Sequence, residues 1–195
     1  HLAAVAGRLE IDLDLNDWEK CGKDIPTLVN LQPSGKYLME DFYYAGGLLG
    51  LMTRLRDQLD LTAKTVTGGT LADSIQGTTI YNDDVILPIE KPLYHEGGTA
   101  ILRGNLAPDG CVMKVSAMDR KFLKHTGPAL VFDDYSAMKA AIDDENLDAT
   151  EDTVLVLRNA GPKGGPGMPE WGMLPVPTKL VKQGVRDMMR ISDAR

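Results

Sequence analysis

Thr153-Val154-Leu155-Val156-Leu157 runs at once into Arg158-Asn159-Ala160-Gly161-Pro162-Lys163-Gly164-Gly165-Pro166-Gly167-Met168-Pro169-Glu170, and this stretch decides how the chain is read. The first five residues are leucine and β-branched, too short for a buried helix, and they predict a strand. Four glycines and three prolines in the ten positions from Gly161 to Glu170 forbid any regular element. A strand that empties into bare backbone makes a loop able to approach a ligand closely. It is not a nucleotide loop. The Walker pattern needs lysine followed by serine or threonine at a helix start, and Lys163 is followed by Gly164. The dinucleotide fingerprint fails on the spacing of Gly164, Gly165 and Gly167. Glu170 follows Pro169, a residue suited to a first helical turn. Its carboxylate either complements a helix N-terminus or offers a hard oxygen to Mg²⁺, and spacing alone leaves both open.

Working outward, the same texture of short apolar runs between turn residues starts after Thr62. Strands are expected at Val85 to Ile89, Thr99 to Arg103, Cys111 to Val115 and Ala129 to Phe132. Helices are expected at Tyr135 to Asp143 and at Pro177 to Met188. The first sixty residues read as helical. Leu2, Val5, Ala6 and Leu9 have helical spacing, and Leu15-Asn16-Asp17 resembles a cap ahead of Trp18, with Gly22 as the stop. After the Pro33-Ser34-Gly35 turn, Leu48, Leu51, Met52, Leu55 and Leu59 predict one apolar face of a helix over Met39 to Leu59. Gly46-Gly47 inside it points to close backbone packing.

Composition fits a folded chain: of 195 residues, 43% are hydrophobic and 25% charged. A formal net charge of −7, with no basic patch, argues against nucleic acid and anionic membranes as partners. No apolar run approaches the roughly 20 residues of a membrane-spanning helix, and no signal segment opens the chain, so a cytoplasmic protein is expected. The two cysteines, Cys21 and Cys111, lack CxxC spacing and are expected to be buried free thiols. Helical residues already in progress at Leu2, and apolar residues still arriving at Ile191, suggest a fragment of a longer protein.

Gly97-Gly98-Thr99-Ala100-Ile101-Leu102-Arg103-Gly104-Asn105-Leu106-Ala107-Pro108-Asp109-Gly110, with Val112, Lys114 and Ser116 after it, resembles a hallmark of the dihydroxy-acid and sugar-acid dehydratases. Gly161 to Glu170 resembles a second hallmark of that family, and Pro33 to Met39 with Gly46-Gly47 a third. Glu40 to Gly47 and Glu170-Trp171-Gly172-Met173-Leu174-Pro175 look like the aldonate branch, of arabinonate or xylonate type. Dihydroxy-acid dehydratase of branched-chain amino-acid synthesis is the runner-up. An inactive folded piece with a packing or interface role is the reading from a different class.

The resemblance implies an α/β tail of an N-terminal cluster-binding domain over residues 1–94. An incomplete β-barrel-like domain with inserted helices follows over 95–195, α+β in class. It implies dehydration of a small-molecule sugar acid to a 2-keto-3-deoxy acid, with an iron–sulfur cluster (2Fe–2S or 4Fe–4S) and Mg²⁺ as cofactors, in a full-length homo-oligomer. Glu170 aligns with a magnesium ligand of the family. The cluster cysteines and the other magnesium ligands lie upstream in the family, and neither Cys21 nor Cys111 matches them. The base serine belongs to a motif that starts at Asp193-Ala194-Arg195, so it falls beyond Arg195, and Ser192 is not it. The 195 residues alone are therefore expected to be inactive. Arg103 and Lys163 are candidate contacts for a substrate carboxylate. His95 and His125 are read as ordinary loop histidines, and Asp133-Asp134 and Asp143-Asp144-Glu145 as exposed caps.

Overall fold

Asp14 accepts the backbone N–H of Asn16 and of Asp17, at 2.6 and 3.1 Å, and Asp17 takes the N–H of Asp14 in return at 3.1 Å. This reciprocal cap starts a helix one residue ahead of the cap expected from sequence. The computed structural model describes residues 2–161 and 174–194, and the chain divides into two units, His1–Met118 and Asp119–Arg195. The first unit holds helices α1 (Leu2–Arg8), α2 (Leu15–Gly22), α3 (Met39–Tyr44), α4 (Gly47–Arg54) and α5 (Leu71–Ile75). They precede an antiparallel pair, β1 (Ala100–Gly104) and β2 (Ala107–Met113). The second unit holds β3 (Ala129–Phe132), α6 (Tyr135–Ala141), β4 (Val154–Leu157), α7 (Thr178–Lys182) and β5 (Arg190–Ser192). Its strands form a parallel sheet in the order β3-β4-β5. Neither sheet closes among the described residues.

Three sequence expectations change, each for a local reason. The helix expected over Met39 to Leu59 is two helices. Gly46 sits at φ 121°, and a Cβ there would lie 2.9 Å from the carbonyl oxygen of Thr79. The chain therefore turns at the glycine pair, as the close packing inferred from sequence requires, and Leu48 ends up 62% exposed instead of on an inner face. The strand expected at Val85 to Ile89 shrinks to one antiparallel bridge between Ile86 and Val29. Pro88 has no N–H to extend the ladder, and its carbonyl instead closes a turn with the N–H of Lys91 at 3.0 Å. Val85 and Ile86 are still the buried centre of this unit, with Ala45.

The helix expected from Pro177 to Met188 stops at Lys182. Gly184 takes φ 95°, its N–H bonds to the carbonyl of Val181, and the N–H of Val185 bonds back to Leu180, both at 3.0 Å. That pair of bonds is a Schellman stop, and it frees the residues that become β5. Around β4 the core is continuous: Leu155 and Leu157 are 0% and 1% exposed, packed with Phe132, Met138, Leu180 and Met188. Replacing Leu155 by alanine should cost about 2–5 kcal/mol of stability. Val131, on the neighbouring strand but 49% exposed, should cost under about 1 kcal/mol as alanine. Urea unfolding of the two variants checks the difference.

Candidate functional site

In a parallel sheet all strands end at one edge, and that edge is where loops converge on a ligand in open α/β folds. Here β3 ends at Asp133-Asp134, β4 at Arg158-Asn159-Ala160-Gly161 and β5 at Asp193. Arg158 pairs with Asp133 at 3.1 Å, and the Asn159 amide donates to the Asp133 carbonyl at 3.0 Å. Asp134 is used as the cap of α6, accepting the N–H of Ala137 at 2.8 Å. Asp193 accepts the N–H of Ala160 at 2.9 Å. The glycine–proline segment quoted above leaves from this edge, and Lys163 and Glu170 within it lie outside the described residues.

In the first unit a cleft of about 540 Å³ lies among Trp18, Pro33, Ser34, Gly97, Gly98 and Ser116, with Leu28, Leu51 and Leu55 as apolar wall. Two of the motif segments singled out in the sequence therefore face one space. The chain at Gly97 crosses so near α2 that a Cβ there would lie 2.2 Å from the carbonyl oxygen of Gly22. The N–H of Gly97 donates to the Lys23 carbonyl at 3.0 Å, and the Ser116 N–H donates to the Gly98 carbonyl at 3.2 Å. The glycine pair thus joins the end of α2 to the turn that follows β2. Arg103 completes the join from β1: its guanidinium pairs with Glu19 at 3.1 Å and bonds to the side chain of Asn16, both on α2. Sequence reasoning missed this clamp, because nothing links Arg103 to Glu19 across 84 positions except the fold.

The cysteines are a correction. Cys21 and Cys111 are both exposed, not buried, since each lies on the outward face of a marginal element, α2 or the two-stranded β1–β2 pair. His125 has a structural setting: Nε2 lies 2.9 Å from the Asp152 carbonyl oxygen and the ring meets Phe122 edge-on. His95 is exposed. Asp144 accepts the N–H of Asn146 at 2.9 Å, the local capping use expected of it. Among the described residues no three of His, Cys, Asp and Glu converge to hold a metal, and no helix is long and apolar enough to cross a membrane.

Sequence models for the N-terminal and C-terminal domains of dihydroxy-acid/6-phosphogluconate dehydratases match residues 1–74 and 84–195. The chain belongs to this dehydratase family. An L-arabinonate dehydratase of Rhizobium leguminosarum is 53% identical and a 6-deoxy-6-sulfo-D-gluconate dehydratase of Pseudomonas putida 49% identical, each over 100% of this chain and 34% of the relative. A dihydroxy-acid dehydratase of Methanococcoides burtonii is 42% identical over 100% of the chain and 35% of the relative. The chain thus spans about a third of the length of these dehydratases.

The helix that walls the cleft also predicts a pH dependence of stability. The N–H groups of Asp17 and Asn16 and the Asn16 amide hold the Asp14 carboxyl below its ordinary value of 3.8. A depressed carboxyl contributes stability above the unfolded value and loses it as the pH falls through the folded one. Asp14→Ala should melt below the parent at pH 7, and the gap should narrow as pH drops below 3.8. Melting curves from pH 7 to 2.5 check this, and a gap independent of pH would contradict it.

Proposed function

We propose that the protein containing this chain is a metal-dependent hydro-lyase that removes water from an aldonate to give a 2-keto-3-deoxy acid. The observation that carries the reading is the gradient of identity across the whole chain: 53% and 49% to relatives named for sugar acids, 42% to one named for dihydroxy acids. Loss of the C2 proton and the C3 hydroxyl leaves an enol, which tautomerises to the ketone. Hydroxide leaves poorly, and an iron–sulfur cluster with an open iron would supply Lewis acidity for it, with Mg²⁺ holding the carboxylate end.

The described residues do not fit the cluster. It needs a set of cysteine thiolates, and Cys21 and Cys111 are exposed on separate elements, with no three of His, Cys, Asp and Glu converging among the described residues. Its ligands are assigned to the protein outside these 195 residues, and so is the base serine. Within the chain, Glu170 is the proposed Mg²⁺ ligand. Lys163 and Arg103 are the cations offered to the substrate carboxylate, and Arg103 would have to exchange Glu19 for it. The same reading takes residues 1–94 as the tail of an α/β domain and 95–195 as part of a β-barrel-like domain. The whole protein is read as a cytoplasmic homo-oligomer.

The test uses the full-length gene product, supplied with pentonates, hexonates and a branched-chain 2,3-dihydroxy acid, with 2-keto acid formation as the readout. Turnover should favour an aldonate, and faster turnover of the branched-chain acid would transfer the protein to the runner-up. The 195-residue chain by itself should turn over none. Glu170→Gln keeps the side chain's shape but removes the charge a hard cation prefers. It should therefore raise the Mg²⁺ concentration needed for half-maximal rate, with excess Mg²⁺ restoring part of the loss. Superimposable Mg²⁺ curves would remove Glu170 from the metal site.

A further inference from the structure

Helix α4 is apolar on both its sides. Inward it turns Gly50, where a Cβ would lie 3.1 Å from Cδ1 of Ile86 and 3.4 Å from Cγ1 of Ile80, and Leu51, which packs against the Ala45–Val85–Ile86 centre. The opposite side of the helix holds Leu48, Leu49, Met52 and Thr53, and Leu48 and Leu49 are exposed. The Thr53 hydroxyl is spent on the Leu49 carbonyl at 2.8 Å, and the one charge on the helix, Arg54, is paired with Asp83. A helix apolar all round is stable only when it is covered on both sides. α3 packs beside α4 and adds to the same surface. Met39 and Tyr43, one turn apart on it, are 69% and 74% exposed, and the Tyr43 and Tyr44 rings meet edge-on with centroids 5.3 Å apart.

Single exposed leucines are ordinary on any protein. Here Leu38, Met39, Tyr43, Tyr44, Leu48 and Leu49 all stand exposed within one short stretch of chain, which makes a patch. Residues 1–74, the match to the N-terminal dehydratase domain, bury only Ala6, Leu28 and Ala45 among their apolar side chains. In the second unit, by contrast, the apolar core is buried around β4, and exposed residues such as Val131 and Val181 are scattered.

We propose that the α3–α4 face is an internal interface of the full-length dehydratase, docked against an apolar surface of the same polypeptide outside these 195 residues. Relatives at 53% and 49% identity match all of this chain with 34% of their own length, so a polypeptide of that size has ample chain to cover the face. A second copy of this chain is the poorer occupant. An isologous contact would bring the Glu40 and Asp41 carboxylates beside Met39 toward those of the other copy, in a chain whose net charge is already −7. The proposal does not depend on which acid the enzyme dehydrates.

The test places a benzoyl-phenylalanine photocrosslinker at position 43 of the full-length protein, an aromatic exchange for Tyr43, and maps the crosslinked peptides. A crosslink should form within one polypeptide, to a peptide outside these 195 residues, with a yield unchanged by roughly tenfold dilution. A crosslink between two copies overturns the proposal, and so does one confined to these residues or none at all. Melting of full-length variants supplies an independent readout. Leu48→Glu puts a charge into a water-free contact and should lower the melting temperature by several degrees, whereas Leu48→Met keeps an apolar side chain of similar volume and should melt with the parent. Leu48→Glu melting with the parent would place Leu48 in water and overturn the interface. Where Leu48→Glu does not fold, the crosslink map decides.

Discussion

Burial of Leu155 and Leu157 on the central strand of the parallel sheet is the constraint on which the second unit depends. Their exposures of 0% and 1% require cover on the faces and a paired strand on each edge. β3 pairs through Ala129 to Phe132 and β5 through Arg190 to Ser192. Because both pairings are parallel, Asp133, Gly161 and Asp193 must appear at the same edge. The register thus does the placing: an apolar run chosen for burial decides which polar residues meet. The first unit obeys a different constraint, close backbone crossing. The glycine at 97 lets the chain between Tyr94 and β1 touch the end of α2, and the Arg103–Glu19 pair holds that crossing from the other side.

Legibility in the sequence followed the strength of the local signal. Val154 to Leu157 and Ala129 to Phe132 were readable because apolar runs of four or so residues between turn signals are too short for a helix, although only Phe132 of β3 is fully buried and Val131 stays 49% exposed. Tyr135 to Asp143 was readable because Asp134 precedes it as a cap. The α7 boundary is hidden in the sequence because a helical apolar period continues through Val181, Val185 and Met188, past the Gly184 whose φ of 95° ends the helix. β5 was hidden for the same reason. Val85 to Ile89 had strand composition, but composition does not supply partners, and Pro88 withholds a donor where a second bond would form.

The candidate site was legible in a different way. The motif segments could be picked out by their glycines, yet what those glycines do could not. Gly97 needs Gly22, 75 positions away, before its lack of a side chain has a meaning. Arg103 was offered as a substrate contact on charge alone, and its partners on α2 show that a cation beside a glycine turn also serves to fasten a helix. The exposed cysteines make the same point in reverse. A thiol's usual burial reflects the core it joins, and neither α2, which buries none of its residues, nor the two-stranded β1–β2 pair supplies one.

The acidic excess of the chain is the last feature that the structure explains. Most of its bonded aspartates work locally. Asp14, Asp41, Asp60, Asp73, Asp119 and Asp134 each serve a backbone N–H within three residues, starting a helix or fastening a turn. A carboxylate satisfied in this way has lone pairs committed to its own segment, so acidic content by itself carries no message about metals. Asp193 differs because the N–H it serves, on Ala160, lies 33 positions away. A local cap can be replaced by water at modest cost, since the orphan N–H faces solvent. The Ala160 N–H belongs to a residue 3% exposed, where water is a poor substitute and an unmet donor is expensive. Distance in sequence and depth in the fold therefore set Asp193 apart from the many carboxylates that only begin a turn, and from Asp133, whose pair with Arg158 at the same edge is exposed.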